Sequence, residues 1–463
     1  MPVSTFSPGP ICSAPSLASL PCPRASSPCP GPAADMTDAP STASDPTEDA
    51  DIAADTDIAD DTEPSPPPPT PLNEPADGTP DVVETERRLT EAAEAIAAGE
   101  GPVAVDAERA SGYRYGQRAY LIQVRREGSG TWLIDPIACP DLSPLNDAIG
   151  RAEWILHAAT QDLACLAEVG LRPVQLFDTE LGARLLGLPR VGLAAVVEHY
   201  LGLALAKEHS AVDWSTRPLP EPWLRYAALD VEVLTELRNL MGVDLARQDK
   251  SEWARQEFEA LLTWEPTERV DPWRRTSGLN TIRSRRGVAV VRELWYARDD
   301  IARDRDTSPG RILPDAGLIS IATEAPTSPA DLPSGHRAIS RYGRQWVAAV
   351  KRANAIDEAD LPQRTIRSDG PPPARSWADK DPIAAERLAA TRAELTAYAE
   401  ERQIPIENVI SPDPLRRAVW RPPTERDEAG FTEALYDYGV RQWQAEIVAP
   451  MLARAFAAHP DAS

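Results

Sequence analysis

The sequence predicts a mixed α/β domain, a sheet covered by helices, followed by all-α units. Three observations carry that expectation. Apolar runs at Val103–Asp106, Tyr120–Val124 and Trp132–Ile134 are short, are separated by turn-type residues and read as a strand meander. Beyond them, strand-like Trp154–Leu156 and Gln175–Phe177 alternate with helical spacing over Gln161–Val169, Glu180–Leu186, Leu193–Leu201 and Glu221–Leu240, as in a sheet with helices on its faces. From about Ser251 the pattern is helical alone.

In chain order, residues 1–85 hold 19 of the 47 prolines and 15 acidic residues against a single base, Arg24. Such a composition buries too little apolar surface to fold, so the segment is expected to be a disordered acidic tail, extended at Pro66–Pro69. Met36 is a candidate for the true start. Order is expected from Glu86, where E-R-R-L-T-E-A-A-E-A-I-A-A-G has helical spacing and stops at Gly99 and Gly101. The α/β domain then covers 86–265. Pro266, Asp271 and Pro272 mark a break, and 266–287 reads as a basic linker. A first helical unit covers 288–355, a Pro/Gly-rich linker 356–380, and a second helical unit 381–458. The stretch 272–292 carries Arg274, Arg275, Arg283, Arg285, Arg286 and Arg292 and no acid. It reads equally as a solvated linker and as a contact for a nucleic-acid backbone.

The formal net charge is −24, of which the tail supplies −14. So acidic a chain is not an obvious nucleic-acid binder, yet most of the acidity lies outside the folded part. Of five cysteines, Cys12, Cys22 and Cys29 lie in the tail, and Cys139 and Cys165 stand alone with no C-x-x-C spacing. They read as buried thiols in a reducing cytoplasm. No signal-peptide pattern and no run of 18 apolar residues is present, so no membrane partner is expected. The expected state is a monomer.

The chemistry centres on V-A-V-D-A-E, Val103 to Glu108. In a strand, Asp106 and Glu108 project from one face. Two carboxylates beside apolar neighbours call for a cation, and a divalent metal with oxygen ligands is the simplest one. Asp162, in H-A-A-T-Q-D-L, falls in the first turn of a helix that Thr160 is expected to cap. Helix-dipole stabilisation alone would also account for it. In Y-A-A-L-D, Tyr226 and Asp230 share one helix face, and the buried Asp230 needs a partner. Asp106, Glu108, Asp162 and Asp230 form a four-carboxylate set whose charge two Mg²⁺ or Mn²⁺ ions would balance, the usual device for phosphodiester hydrolysis. The Tyr226 hydroxyl would orient water or the scissile phosphate, since a phenol with a pKa of about 10 is a poor base.

Those three segments resemble the exonuclease motifs of the DEDD superfamily, in order, and Tyr226 four residues before Asp230 matches its tyrosine subclass. L-F-D-T-E-L-G-A-R-L-L-G and K-E-H-S-A-V-D-W-S-T-R-P-L are similar to ribonuclease D. R-E-L-W-Y-A-R-D-D-I-A-R-D-R-D and I-L-P-D-A-G-L-I-S-I-A resemble the HRDC domain of that family, and the unit ending G-V-R-Q-W-Q-A-E-I-V-A-P-M-L resembles a divergent second one. The resemblance spans roughly 86–458. It implies a ribonuclease-H-like fold and metal-dependent 3′→5′ hydrolysis of RNA to nucleoside 5′-monophosphates. Implied substrates are 3′ ends of tRNA precursors and other small structured RNAs. Asp106, Glu108, Asp162 and Asp230 take the metal-ligand positions and Tyr226 the water-orienting one. A DNA-directed exonuclease and a non-catalytic RNA-binding scaffold are the competing functions. The complete carboxylate set argues against the scaffold. The helical units are expected to add RNA affinity, so that the chain up to about residue 265 would cleave alone.

Neighbouring residues have plainer readings. His157 is expected to be a satisfied structural histidine, Asp178 a helix cap, and Trp214 core. Glu208, His209 and Asp213 share its loop. Trp295, Tyr296 and Trp346 are expected to form the core of the first helical unit.

Overall fold

A computed structural model describes residues 68–205, 211–365 and 370–461. Cys12, Cys22, Cys29, Met36, Glu208, His209 and most of the acidic tail lie outside the described residues.

Eight strands are described: β1 (Thr70–Leu72), β2 (Val82–Val83), β3 (Glu100–Arg109), β4 (Ala119–Glu127), β5 (Gly130–Ile134), β6 (Glu153–Leu156), β7 (Gln175–Asp178) and β8 (Leu203–Leu205). Six form one mixed sheet in the order β2-β5-β4-β3-β6-β7. β3, β4 and β5 make the expected antiparallel meander, and β6 and β7 add in parallel after helical crossovers. The β4–β5 turn places Gly128 and Gly130 at φ +82° and +72°, where a side chain would be strained.

The expected tail is shorter than the sequence suggested. Val82 and Val83 pair in parallel with β5, and Val83 is fully buried, because the edge of β5 offers free backbone groups to the chain. β1 pairs with β8 in a separate two-stranded sheet. Thr85 then caps the helix Glu86–Ala98.

Two helices also differ from expectation. The span 221–240 is two helices, Glu221–Glu232 and Leu234–Arg247, parted at Val233. The span 161–169 is a 3-10 turn, Ala159–Gln161, followed by the helix Leu163–Glu168, so Thr160 lies inside the turn and caps nothing. The Asp178 carboxylate accepts from Ala158 N and Ala159 N at 3.1 and 2.8 Å, which pins the chain before Thr160 is reached.

The first helical unit is built on helices Arg285–Asp304, Asp315–Glu324 and Gly343–Asn354 around Leu294, Leu318 and Trp346. Three of the six arginines of 272–292 are engaged with backbone carbonyls within the folded chain. Arg286 donates to Ala353 O and Ile356 O, Arg285 to Leu361 O, and Arg274 to Asp271 and Gln363 O. These guanidiniums satisfy carbonyls at and beyond a helix C-terminus, which also favours their charge.

The second unit, with helices Pro382–Glu401, Pro412–Trp420, Glu428–Asp437 and Gln442–Ala458, shares a continuous core with the α/β domain. Buried Lys250 donates to Leu185 O at 2.8 Å and Gln403 O at 3.4 Å, and Asn408 Nδ2 donates to Arg184 O. Gly187 sits so close that a Cβ there would lie 2.1 Å from Gln403 O. This unit is part of the nuclease body, so a chain ending near residue 265 would lose part of a shared core.

Candidate active site

β3 delivers the first two carboxylates. Its alternation puts Asp106 and Glu108 on one face, while Val105 and Ala107 pack into the core from the other. The helix Glu221–Glu232 packs across β3, β4 and β5 and delivers Tyr226 and Asp230 one turn apart. Carboxylate oxygens of Asp106, Glu108 and Asp230 lie within 4.8 Å of one another. Asp162 is buried at the junction of the 3-10 turn and the helix Leu163–Glu168, and its Oδ1 lies 3.8 Å from Arg109 Nε. All five sequence-chosen residues line one cavity of about 600 Å³. Three carboxylates thus converge tightly, and Asp162 faces them from beside Arg109.

The electrostatics are those of clustered, buried acids. Burial pushes Asp106 up to about 6. Burial also holds Glu108, Asp162 and Asp230 well above the ordinary carboxylate range, reinforced by the Asp106 charge on each. The Tyr226 hydroxyl donates to Asp230, and burial beside these acids drives the phenol far above its usual value, so it stays neutral. Directly across β4 from Asp106 is Gln123, fully buried, with neither amide atom bonded.

The plainer readings hold except for Tyr296, expected in the core of the first helical unit, which is 41% exposed. Asp178 caps the helix Thr179–Leu185 while bonding the turn before Asp162. His157 has a structural bond, its Nδ1 lying 2.9 Å from Thr179 Oγ1. It also lines the cavity, and burial lowers it to about 4, so the ring is neutral. Trp214 is fully buried against Trp223 and Tyr226. Burial raises the Cys165 thiol to about 12, and Cys139 is likewise buried. Sequence reasoning missed Arg109, Gln161 and Tyr113 as cavity residues. Arg109 adjoins Glu108 in sequence, but strand alternation points it away, and no pattern marks the other two.

The cavity wall has a second support. After β3 the chain passes through Ser111, Gly112 and Tyr113, which line the cavity. The first helical unit grips this loop: Ser308 N donates to Tyr113 O, Ser308 Oγ and Arg311 Nε donate to Gly112 O, and Tyr115 Oη donates to Asp299. The Arg311 guanidinium covers the Tyr113 ring at 3.9 Å.

Residues 80–246 match the family model described as 3′-5′ exonuclease, 288–350 the HRDC domain, and 370–456 the 3′ to 5′ exonuclease C-terminal domain. Ribonuclease D of Jannaschia sp. (strain CCS1) is 30% identical over 372 residues, 76% of this chain and 89% of the relative. A crystal structure of a Bifidobacterium adolescentis protein superposes with a TM-score of 0.76 at 38% identity, over 84% of this chain and all of that one. That of Escherichia coli RNase D, described as an exoribonuclease involved in structured RNA processing, gives 0.60 at 26% identity over 82% and 99%. With the carboxylate cavity in a mixed-sheet exonuclease domain and an HRDC domain behind it, the chain belongs to the ribonuclease D family of 3′→5′ exoribonucleases.

Proposed function

We propose that the chain trims structured RNAs, tRNA precursors among them, from the 3′ end with two divalent cations, releasing nucleoside 5′-monophosphates. Exonucleases of this superfamily generally use divalent metals. The observation that carries the reading is the convergence of Asp106, Glu108 and Asp230 carboxylate oxygens within 4.8 Å of one another. All-oxygen donors of this kind suit Mg²⁺ or Mn²⁺. Asp106, Glu108, Asp162 and Asp230 would hold the ions. When bound, they would supply Lewis acidity for water activation and for the leaving oxygen.

The chain's own residues supply the rest. Tyr226, kept neutral and held on Asp230, positions the attacking water or a phosphate oxygen. Leu193, Leu205 and Leu234 line the cavity beside the acids and limit water around the terminal nucleotide. Structured RNA as substrate is supported by the description of the Escherichia coli relative.

The deciding experiment gives the full chain 3′-labelled single-stranded RNA, or matching DNA, with Mg²⁺, Mn²⁺ or EDTA. Metal-dependent release of labelled nucleoside 5′-monophosphate from RNA is expected. Faster attack on DNA would favour a DNA exonuclease, and metal-independent or absent cleavage would overturn the reading.

A further inference from the structure

We propose that Arg109 is a two-position residue: without metal it is the counter-ion of Asp162, and with metal bound it turns to the phosphodiester at the RNA 3′ end. This rests on the metal reading above.

Arg109 ends β3. Regular alternation would place it on the face opposite Glu108. The β3–β4 register shifts between these two residues, with Glu108 opposite Leu121 and Arg109 opposite Ala119. An irregularity of this kind re-aims a side chain, and both residues line the same cavity. Among the described residues there, Arg109 is the sole permanent cation, His157 being neutral.

Its contacts separate it from the structural arginines. Arg217, for comparison, bonds Asp135 and the carbonyls of Tyr120, Trp214 and Thr216. The Arg109 guanidinium makes no hydrogen bond among the described residues. Its nearest acid is Asp162 at 3.8 Å, too far for the 2.7–2.9 Å expected of a charge-assisted bond. The side chain is 26% exposed. It is attracted to the site without being fixed in it.

Charge decides which way it turns. Without metal, one guanidinium faces four carboxylates and stays on Asp162. Two divalent cations cancel the four carboxylates and repel the guanidinium from them. The site then keeps one positive charge, Arg109, which matches the single negative charge of one phosphodiester. A guanidinium fork also suits two phosphate oxygens.

The test compares wild type, Arg109→Gln and Arg109→Lys in two measurements: isothermal titration with Mn²⁺ alone, and KM for 3′-labelled RNA across a salt series. Arg109→Gln should bind Mn²⁺ several-fold tighter, because the competing cation is gone. Its KM should rise about tenfold, and the salt slope should shrink by about 0.7, the value of one single-strand phosphate contact. Arg109→Lys should keep the wild-type Mn²⁺ affinity and salt slope with an intermediate KM. A purely structural role would weaken metal and RNA binding together, and that outcome, or unchanged values in Arg109→Gln, overturns the proposal. If wild type takes up no Mn²⁺, the metal reading falls and this proposal with it. Uptake by wild type with no change in Arg109→Gln sinks this proposal alone.

Discussion

The indole of Trp443, near the C-terminus, stacks on that of Trp253 in the nuclease domain, with ring centroids 4.6 Å apart and planes 16° from parallel. Trp443 also donates through its indole to Glu257 and through its backbone to Gln256, both at 3.0 Å. The last helix is therefore fastened to Ser251–Leu262 by apolar and polar contacts together. Trp443→Ala should cost about 3–5 kcal/mol, read as a lower denaturant midpoint. Ending the chain near residue 265 would uncover Trp253 and strip Gln256 and Glu257 of their Trp443 bonds, and gel filtration should show aggregates. A monodisperse, active short chain would contradict the shared core.

Asp106→Asn should abolish cleavage while RNA binding largely survives, because the amide keeps the side chain's size and removes one carboxylate from the set. Retained activity would remove Asp106 from the metal set. Tyr226→Phe keeps the ring against Trp214 and loses the bond to Asp230. Turnover should fall by about 10²-fold without vanishing. An unchanged kcat would take the hydroxyl out of the mechanism.

Lys250 links stability to pH. Burial lowers its ammonium to about 8 from an ordinary 10.5. Between these values the unfolded chain holds a proton that the folded chain has lost, so stability rises with pH across that window. Below about 8 both states are protonated and the cost of burying the charge is fully present. Wild type should therefore gain stability relative to Lys250→Met as pH rises from 8 toward 10.5. A difference between their melting temperatures that ignores pH would show that Lys250 keeps its charge.

The HRDC unit should influence the site through the loop it grips. Tyr115→Ala deletes the bond to Asp299 and the ring under Arg303. Gly112 and Tyr113 would then be held less firmly, and KM for RNA should rise severalfold with little change in the melting curve. Equal loss of kcat and stability would point to general damage instead.

The meander, both parallel strands and the meeting of Asp106, Glu108, Tyr226 and Asp230 in one cavity were legible because each lies in a strongly patterned segment. Asp106 and Glu108 show period two, and Tyr226 and Asp230 show period four. What sequence did not reveal depends on distant partners. Val82 and Val83 read as tail because only the β5 edge makes them a strand. Thr160 looked like a cap because Asp178, which fixes the chain before it, lies on a later strand. Arg285 and Arg286 looked free because the carbonyls they satisfy lie about seventy residues away. The position of Arg109 depends on a register slip that no local pattern encodes.

The two helical units are joined to the nuclease in different ways. One continues its core, while the other has a core of its own and touches the catalytic domain mainly through the Gly112–Tyr115 loop. On heating, this architecture should come apart in two cooperative steps rather than three. The middle segment of the chain would melt by itself, and its first and last segments would melt together.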